Sequence, residues 1–165
     1  MENNTKVELS ETILPEAVFS CLEGGTTSEV LEEMVNGLCA AKMLPKKCRK
    51  ACIDALMDRE KLGSTGIGRG VAVPHAKHPD VPKIIGAFGR SKKGIDFAAV
   101  DGLPVHLIFL LLSPKDGANE HLKVLSHIVK AARDELFCKF LVNAGGKKEI
   151  MELFKEVDSR TSTGG

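Results

Sequence analysis

Val105-His106-Leu107-Ile108-Phe109-Leu110-Leu111-Leu112 is apolar at every position but one. A strand with one solvated face alternates apolar and polar side chains, and a strand without a polar face is covered on both sides. The run therefore reads as the central strand of a sheet with helices on either side. It is much too short to span a bilayer, and Ser113-Pro114 ends it. Segments of helical and extended pattern interleave around it. That interleaving predicts a single α/β domain of three layers, with helices covering both faces of one sheet.

Upstream, Ala17 to Leu22 carries a short extended pattern, broken by Gly24-Gly25. Thr26, Thr27 and Ser28 supply helix caps. From Glu29, Val30, Leu31, Met34, Val35 and Leu38 fall at helical spacing. Pro45 suits the first turn of a second helix, whose buried face is Cys48, Cys52, Ile53, Leu56 and Met57. That helix runs towards Arg59 and stops before Gly63. Val71 to Val73 and Lys83 to Arg90 read as strands, with a turn at Gly94 and Asp96. Downstream, Leu122, Leu125, Ile128, Val129 and Ala132 line one face of a helix that begins near Asn119. Leu136 to Val142 and Lys148 to Glu156 continue as helices. Residues 1–10 are expected to be a flexible N-terminus, 11–157 the domain, and 158–165 a flexible tail.

Composition excludes several classes. The chain has 165 residues and a formal net charge of +1, so no nucleic-acid footprint is indicated. Trp and Tyr are absent, which disfavours base-stacking platforms. Lys46, Lys47, Arg49 and Lys50 are read as a solvated helix face. The five cysteines show no paired spacing, which fits free thiols in a reducing cytosol. No apolar leader is present, so a cytoplasmic location is expected, without membrane insertion.

The chemistry gathers between Arg59 and His78. Gly63, Gly66, Gly68 and Gly70 let backbone approach a ligand closely. Ser64 and Thr65 bring hydroxyls, or simply serve the turn. Gly66-Ile67-Gly68-Arg69-Gly70 lacks the Lys-Ser/Thr ending of a Walker loop and the spacing of a dinucleotide fingerprint. His75 follows Pro74, which restrains the local backbone. Imidazole is a competent nucleophile near neutral pH. Arg59 sits near a helix end, where the dipole alone favours a cation, and its fork also suits a phosphoryl group. His121 reads either as a packed core histidine or as a second imidazole at a helix N-terminus. Spacing alone favours the packed residue. His75-x-x-His78 is a weak metal pattern, His106 reads as structural, and His127 as a surface residue.

These residues resemble a known family. Arg59-Glu60-Lys61, Gly63-Ser64-Thr65-Gly66-Ile67-Gly68 and Val71-Ala72-Val73-Pro74-His75 are similar to the phosphorylation-site signature of type 2 enzyme IIA domains. These belong to the fructose, mannitol and nitrogen-regulatory class of the phosphoenolpyruvate-dependent phosphotransferase system. Asp101-Gly102-Leu103-Pro104-Val105 and His121-Leu122-Lys123-Val124-Leu125-Ser126 resemble two further segments, in the same order. The resemblance implies an α/β/α sandwich with a mixed central sheet. It implies that His75 accepts a phosphoryl group from a histidine phosphocarrier protein and passes it to an enzyme IIB cysteine. His121 and Arg59 would hold the phosphohistidine site, and Ser64, Thr65, Gly66 and Gly68 would contact the phosphate. No metal or organic cofactor is implied. A regulatory switch without onward transfer is the alternative, and the length of the chain with the Gly63-Ser64-Thr65-Gly66-Ile67-Gly68 form inclines towards a nitrogen-regulatory or fructose-like subgroup.

Overall fold

The apolar run becomes β6 (Val105–Ser113), and every residue of it except His106 is buried. The computed structural model describes residues 6–163, with side chains through Arg160. Antiparallel to β6 lies β5 (Ile85–Ile95). The other edge of β6 is occupied in sequence by β3 (Val71–Ala72) and β4 (His75–Lys77), both parallel to it. β2 (Gly66–Gly68) pairs antiparallel with β3, and β1 (Val18–Phe19) parallel with β5. The order is β1-β5-β6-β3-β2, with β4 also on β6. This is the mixed central sheet that the resemblance implied.

Helices cover both faces. α2 (Thr27–Ala40) and α3 (Arg49–Leu62) pack against one another, and α4 (Ala118–Ala132), α5 (Glu135–Asn143), α6 (Lys147–Thr163) and α1 (Leu9–Thr12) form the second group. Adjacent residues of β5 show the division. Phe88 packs at a tilt against Phe109, 5.1 Å between ring centroids, and meets Phe154 of α6 edge-on at 5.5 Å. Gly89 faces the opposite way: a Cβ there would sit 2.6 Å from Leu22 Cδ1 and 3.0 Å from Met34 Sδ. Any larger residue would overpack the interface with α2. Buried Arg90 donates from Nη1 to the carbonyls of Leu141 and Ala144 at the end of α5, and from Nε to Ser20 O. A cation there satisfies helix-end carbonyls and their dipole.

Several expected boundaries move. Only Val18–Phe19 of the first extended segment pairs as a strand. A three-residue 3-10 turn, Lys46–Cys48, precedes α3, so Pro45 caps that turn rather than starting the helix. β5 runs through the expected turn at Gly94, with its register disrupted between Arg90 and Ile95. The ends also change. Leu9 is fully buried, and its N–H donates to Asp158 Oδ1 at 2.7 Å. Ser10 donates to Oδ2 from both N and Oγ, at 3.0 and 2.7 Å. Asp158 is itself buried on α6. The packed body therefore begins before residue 11 and extends past 157. Propensity at the two ends could not reveal this, because each end is held by the other. Residues 1–5, 164 and 165 of the expected flexible ends lie outside the described residues. His127 is not a surface residue: its side chain is 16% exposed and its Nε2 is buried 3.8 Å from Asp158 Oδ1.

Candidate functional site

β4 carries the central histidine. Pro74 interrupts the edge between β3 and β4, and Pro74 O still accepts from Leu111 N at 3.0 Å. The pairing resumes with His75 opposite Leu111 and Lys77 opposite Ser113. Period two then turns Ala76 into the core and leaves His75 half-buried and Lys77 exposed. α3 and α4 flank this strand. Between them opens a cleft of about 620 Å³, lined by Asp58, Arg59 and Leu62 of α3, His75 and Lys77 of β4, and His121 and Leu125 of α4.

The two imidazoles lie face to tilted face, 5.7 Å between centroids and 49° between planes. His75 Nδ1 is 2.8 Å from Val73 O. A carbonyl only accepts, so Nδ1 carries the proton and the neutral ring keeps its lone pair on Nε2. Burial lowers the His75 pKa most. The Val73 hydrogen bond acts against this, Arg59 adds to it, Glu60 opposes it and Lys77 adds to it. His121 is 6% exposed. Its pKa is pushed down to about 4, chiefly by burial, then by His75 and Lys77. Both rings are therefore neutral at neutral pH. His121 Nδ1 lies 2.6 Å from Ser113 Oγ.

Arg59 occupies the last turn of α3 and donates from Nη1 to Gly63 O at 2.8 Å. That bond ties it to the loop and leaves the rest of its fork for the cleft. Lys77 adds a second cation, and Asp58 on the same wall lies 3.7 Å from Lys61 Nζ.

The structure brings together His75, His121 and Arg59. It does not bring Ser64, Thr65, Gly66 or Gly68 into that cleft. Ser64 Oγ donates to Phe97 O and accepts from Gly66 N at 2.9 Å. Thr65 is buried, its hydroxyl donates to Glu60, and its N–H donates to the same carboxylate at 3.2 Å. Gly66 and Gly68 pair with β3, and Arg69 N between Gly68 and Gly70 donates to Asp101 Oδ2 at 2.8 Å. Gly68, Arg69 and Gly70 all have positive φ, at 98°, 55° and 81°, which makes the tight β2–β3 turn. Ser64 Oγ, the Thr65 hydroxyl and N–H, and Gly66 N are thus engaged within the loop, and the four residues expected to contact a phosphate are not among those that line the cleft. These bonds hold the loop in place beside the end of α3.

Lys77, which lines the cleft, and Ser113, which touches His121, have no role in the sequence reading. Lys77 was legible as the period-two partner of His75. Ser113 was the one hydroxyl ending an otherwise apolar central strand, and that oddity was its signal. His78, the other half of the weak metal pattern, accepts from Asp80 N at 3.1 Å. Among the described residues, no group of three or more His, Cys, Asp or Glu side chains is arranged to hold a metal, and no helix is long and apolar enough to cross a membrane.

The chain is similar to known proteins in sequence and in fold. Residues 11–157 match the family described as "Phosphoenolpyruvate-dependent sugar phosphotransferase system, EIIA 2". A nitrogen regulatory protein of Bradyrhizobium diazoefficiens is 38% identical over 133 residues, covering 81% of this chain and 85% of that one. A fructose-specific EIIABC component of the phosphotransferase system in Bacillus subtilis is 34% identical over 152 residues, covering 92% of this chain but only 24% of that longer protein. The crystal structure of nitrogen regulatory protein IIA-Ntr from Neisseria meningitidis superposes with a TM-score of 0.79 at 32% identity, covering 88% of this chain and 97% of that one.

Proposed function

This chain belongs to the EIIA 2 family of the phosphoenolpyruvate-dependent sugar phosphotransferase system, and on that premise we propose that it is a phosphoryl carrier whose acceptor is His75. The observation that carries the reading is the His75 Nδ1–Val73 O bond at 2.8 Å in a ring that burial keeps neutral. It leaves Nε2 as the nucleophile. Nε2 attacks the phosphorus of a phosphohistidine on a phosphocarrier protein, in line with the bond that breaks. One N–P bond forms as another is lost, so the step is nearly balanced and reversible. The ring keeps its Nδ1 proton on Val73 O throughout. Arg59 and His121 stabilise the equatorial oxygens as charge spreads over them, and Lys77 adds a positive field. The phosphoryl group then leaves for the cysteine of an enzyme IIB domain.

The test is incubation with phosphoenolpyruvate, enzyme I and a phosphocarrier protein, followed by mapping of acid-labile phosphate. Label on the wild type and none on His75→Ala is expected. An unlabelled wild type, or a variant labelled as strongly, overturns the proposal.

A second reading has its own support, in relatives named as nitrogen regulatory proteins over most of their length. Here the phosphoryl group on His75 changes the charge of the cleft by roughly −1.5 to −2, and that charge selects a protein partner without onward transfer. Transfer of label from phosphorylated protein to an enzyme IIB domain favours carriage. Label that stays on His75, with a pulled-down partner that changes on phosphorylation, favours the switch.

A further inference from the structure

One buried hydroxyl beside His121 decides what the second imidazole offers. Ser113 is the last residue of β6 and has no exposed surface. Its main chain is pinned: it pairs with Lys77, and its carbonyl accepts from His78 N at 3.0 Å. Its Oγ lies 2.6 Å from His121 Nδ1. Among the described residues, neither group has another side-chain hydrogen bond. The hydroxyl proton therefore has one acceptor within reach. If Nδ1 carried a proton and donated to Oγ, the hydroxyl proton would be buried without a partner, at a cost of about 1–3 kcal/mol. The satisfied arrangement has Ser113 donating to Nδ1. A neutral ring then carries its proton on Nε2.

We propose that Ser113 is a positioning residue that donates to His121 Nδ1, fixes the Nε2–H tautomer, and so makes neutral His121 a hydrogen-bond donor to phosphoryl oxygens. Phosphoryl oxygens only accept. The opposite tautomer would turn a lone pair towards them and repel the group that the cleft is to hold. The same pair of strands serves both rings: β4 presents His75 opposite Leu111, and β6 presents the hydroxyl two residues further along. One edge pairing thus sets the nucleophile and the tautomer of its neighbour. The proposal rests on the reading of His75 as phosphoryl acceptor, but its first test does not.

That test is long-range proton–nitrogen NMR of the uniformly labelled protein without any phosphoryl donor. His121 is expected to show a protonated Nε2 and a bare Nδ1 at neutral pH. A proton on Nδ1 overturns the proposal, whatever the transfer assay reports. The second arm uses Ser113→Ala and Ser113→Thr. Ser113→Ala is expected to give a mixture of tautomers. Phosphoryl transfer to His75 should fall on the order of 10- to 100-fold, as when partners that orient metal-bound histidines are removed. The loss should lie in kcat rather than in KM for the phosphocarrier, and Ser113→Thr, which keeps the hydroxyl, should recover the single tautomer. A Ser113→Ala protein with an unchanged tautomer, or with mixed tautomers and unchanged transfer, overturns it. If the wild type takes no phosphate at all, the reading of His75 fails while the tautomer result stands on its own.

Discussion

α4 carries two histidines, six residues apart, one buried and one partly buried, set among different groups. His121, in the first turn, meets a hydroxyl, a second imidazole and a lysine, and no carboxylate is among the groups that shift its pKa. His127, farther along, faces Asp158 across 3.8 Å, too far for a hydrogen bond but within reach of its charge. The oxygens of Asp158 hold Leu9 N, Ser10 N and Ser10 Oγ. The first histidine lines the cleft beside His75. The second belongs to a latch joining α1, α4 and α6. What separates them is the groups placed around each ring, and only those groups carry the assignment.

His121→Ala against His127→Ala is the sharpest way to break this comparison. The first is expected to slow phosphoryl transfer to His75 about 100-fold, the usual loss of one donor to developing charge. The second should leave transfer within about twofold. Equal losses in a quench-flow labelling assay would abolish the distinction. Asp158→Ala probes the latch from its other side. It removes the acceptor for three donors and is expected to cost about 2 kcal/mol, lowering the melting temperature by about 4–8 °C in a domain of this size. Transfer measured well below that temperature should not change. Arg59→Lys comes next. It keeps the charge but loses the fork, and transfer should fall about tenfold, the equivalent of one charged hydrogen bond.

Smaller effects appear in pH. His121 has a folded pKa of about 4 against 6.5 for the free side chain, and His75 is shifted in the same direction. As pH falls, the unfolded chain therefore takes up these protons first. The stability they contribute is complete above about pH 6.5 and is lost between there and about pH 4. Urea unfolding across that window should show a shallower pH slope for His121→Gln than for the wild type, and an identical slope would break the assignment. Lys77→Gln is the mildest change. It removes a cation that lowers both imidazoles, so the acid limb of the transfer profile should move to higher pH.

The cleft and the latch also differ in how far they could be read in advance. Val105 to Leu112 announced a strand buried on both faces, because its pattern lies within a few consecutive residues. Pro74-His75 marked one candidate residue in the same way, and the family resemblance added Arg59 and His121. The placing of the loop hydroxyls needed the structure: Ser64 and Thr65 turn inward onto Phe97 and Glu60, and residue type does not tell where a hydroxyl points. The latch was invisible: Asp158 looked like the start of a polar tail, and Leu9 like part of a frayed end.

By itself the sequence determined the layers, the central strand and the candidate nucleophile, since helical and strand periodicities are set over a few residues and burial follows from them. Only the tertiary structure decided which distant groups meet. His121 reaches Ser113, and His127 faces Asp158, because β4 pairs at one register along β6 and α6 returns across α1. Those encounters depend on long-range closure of the chain, and no local pattern records them.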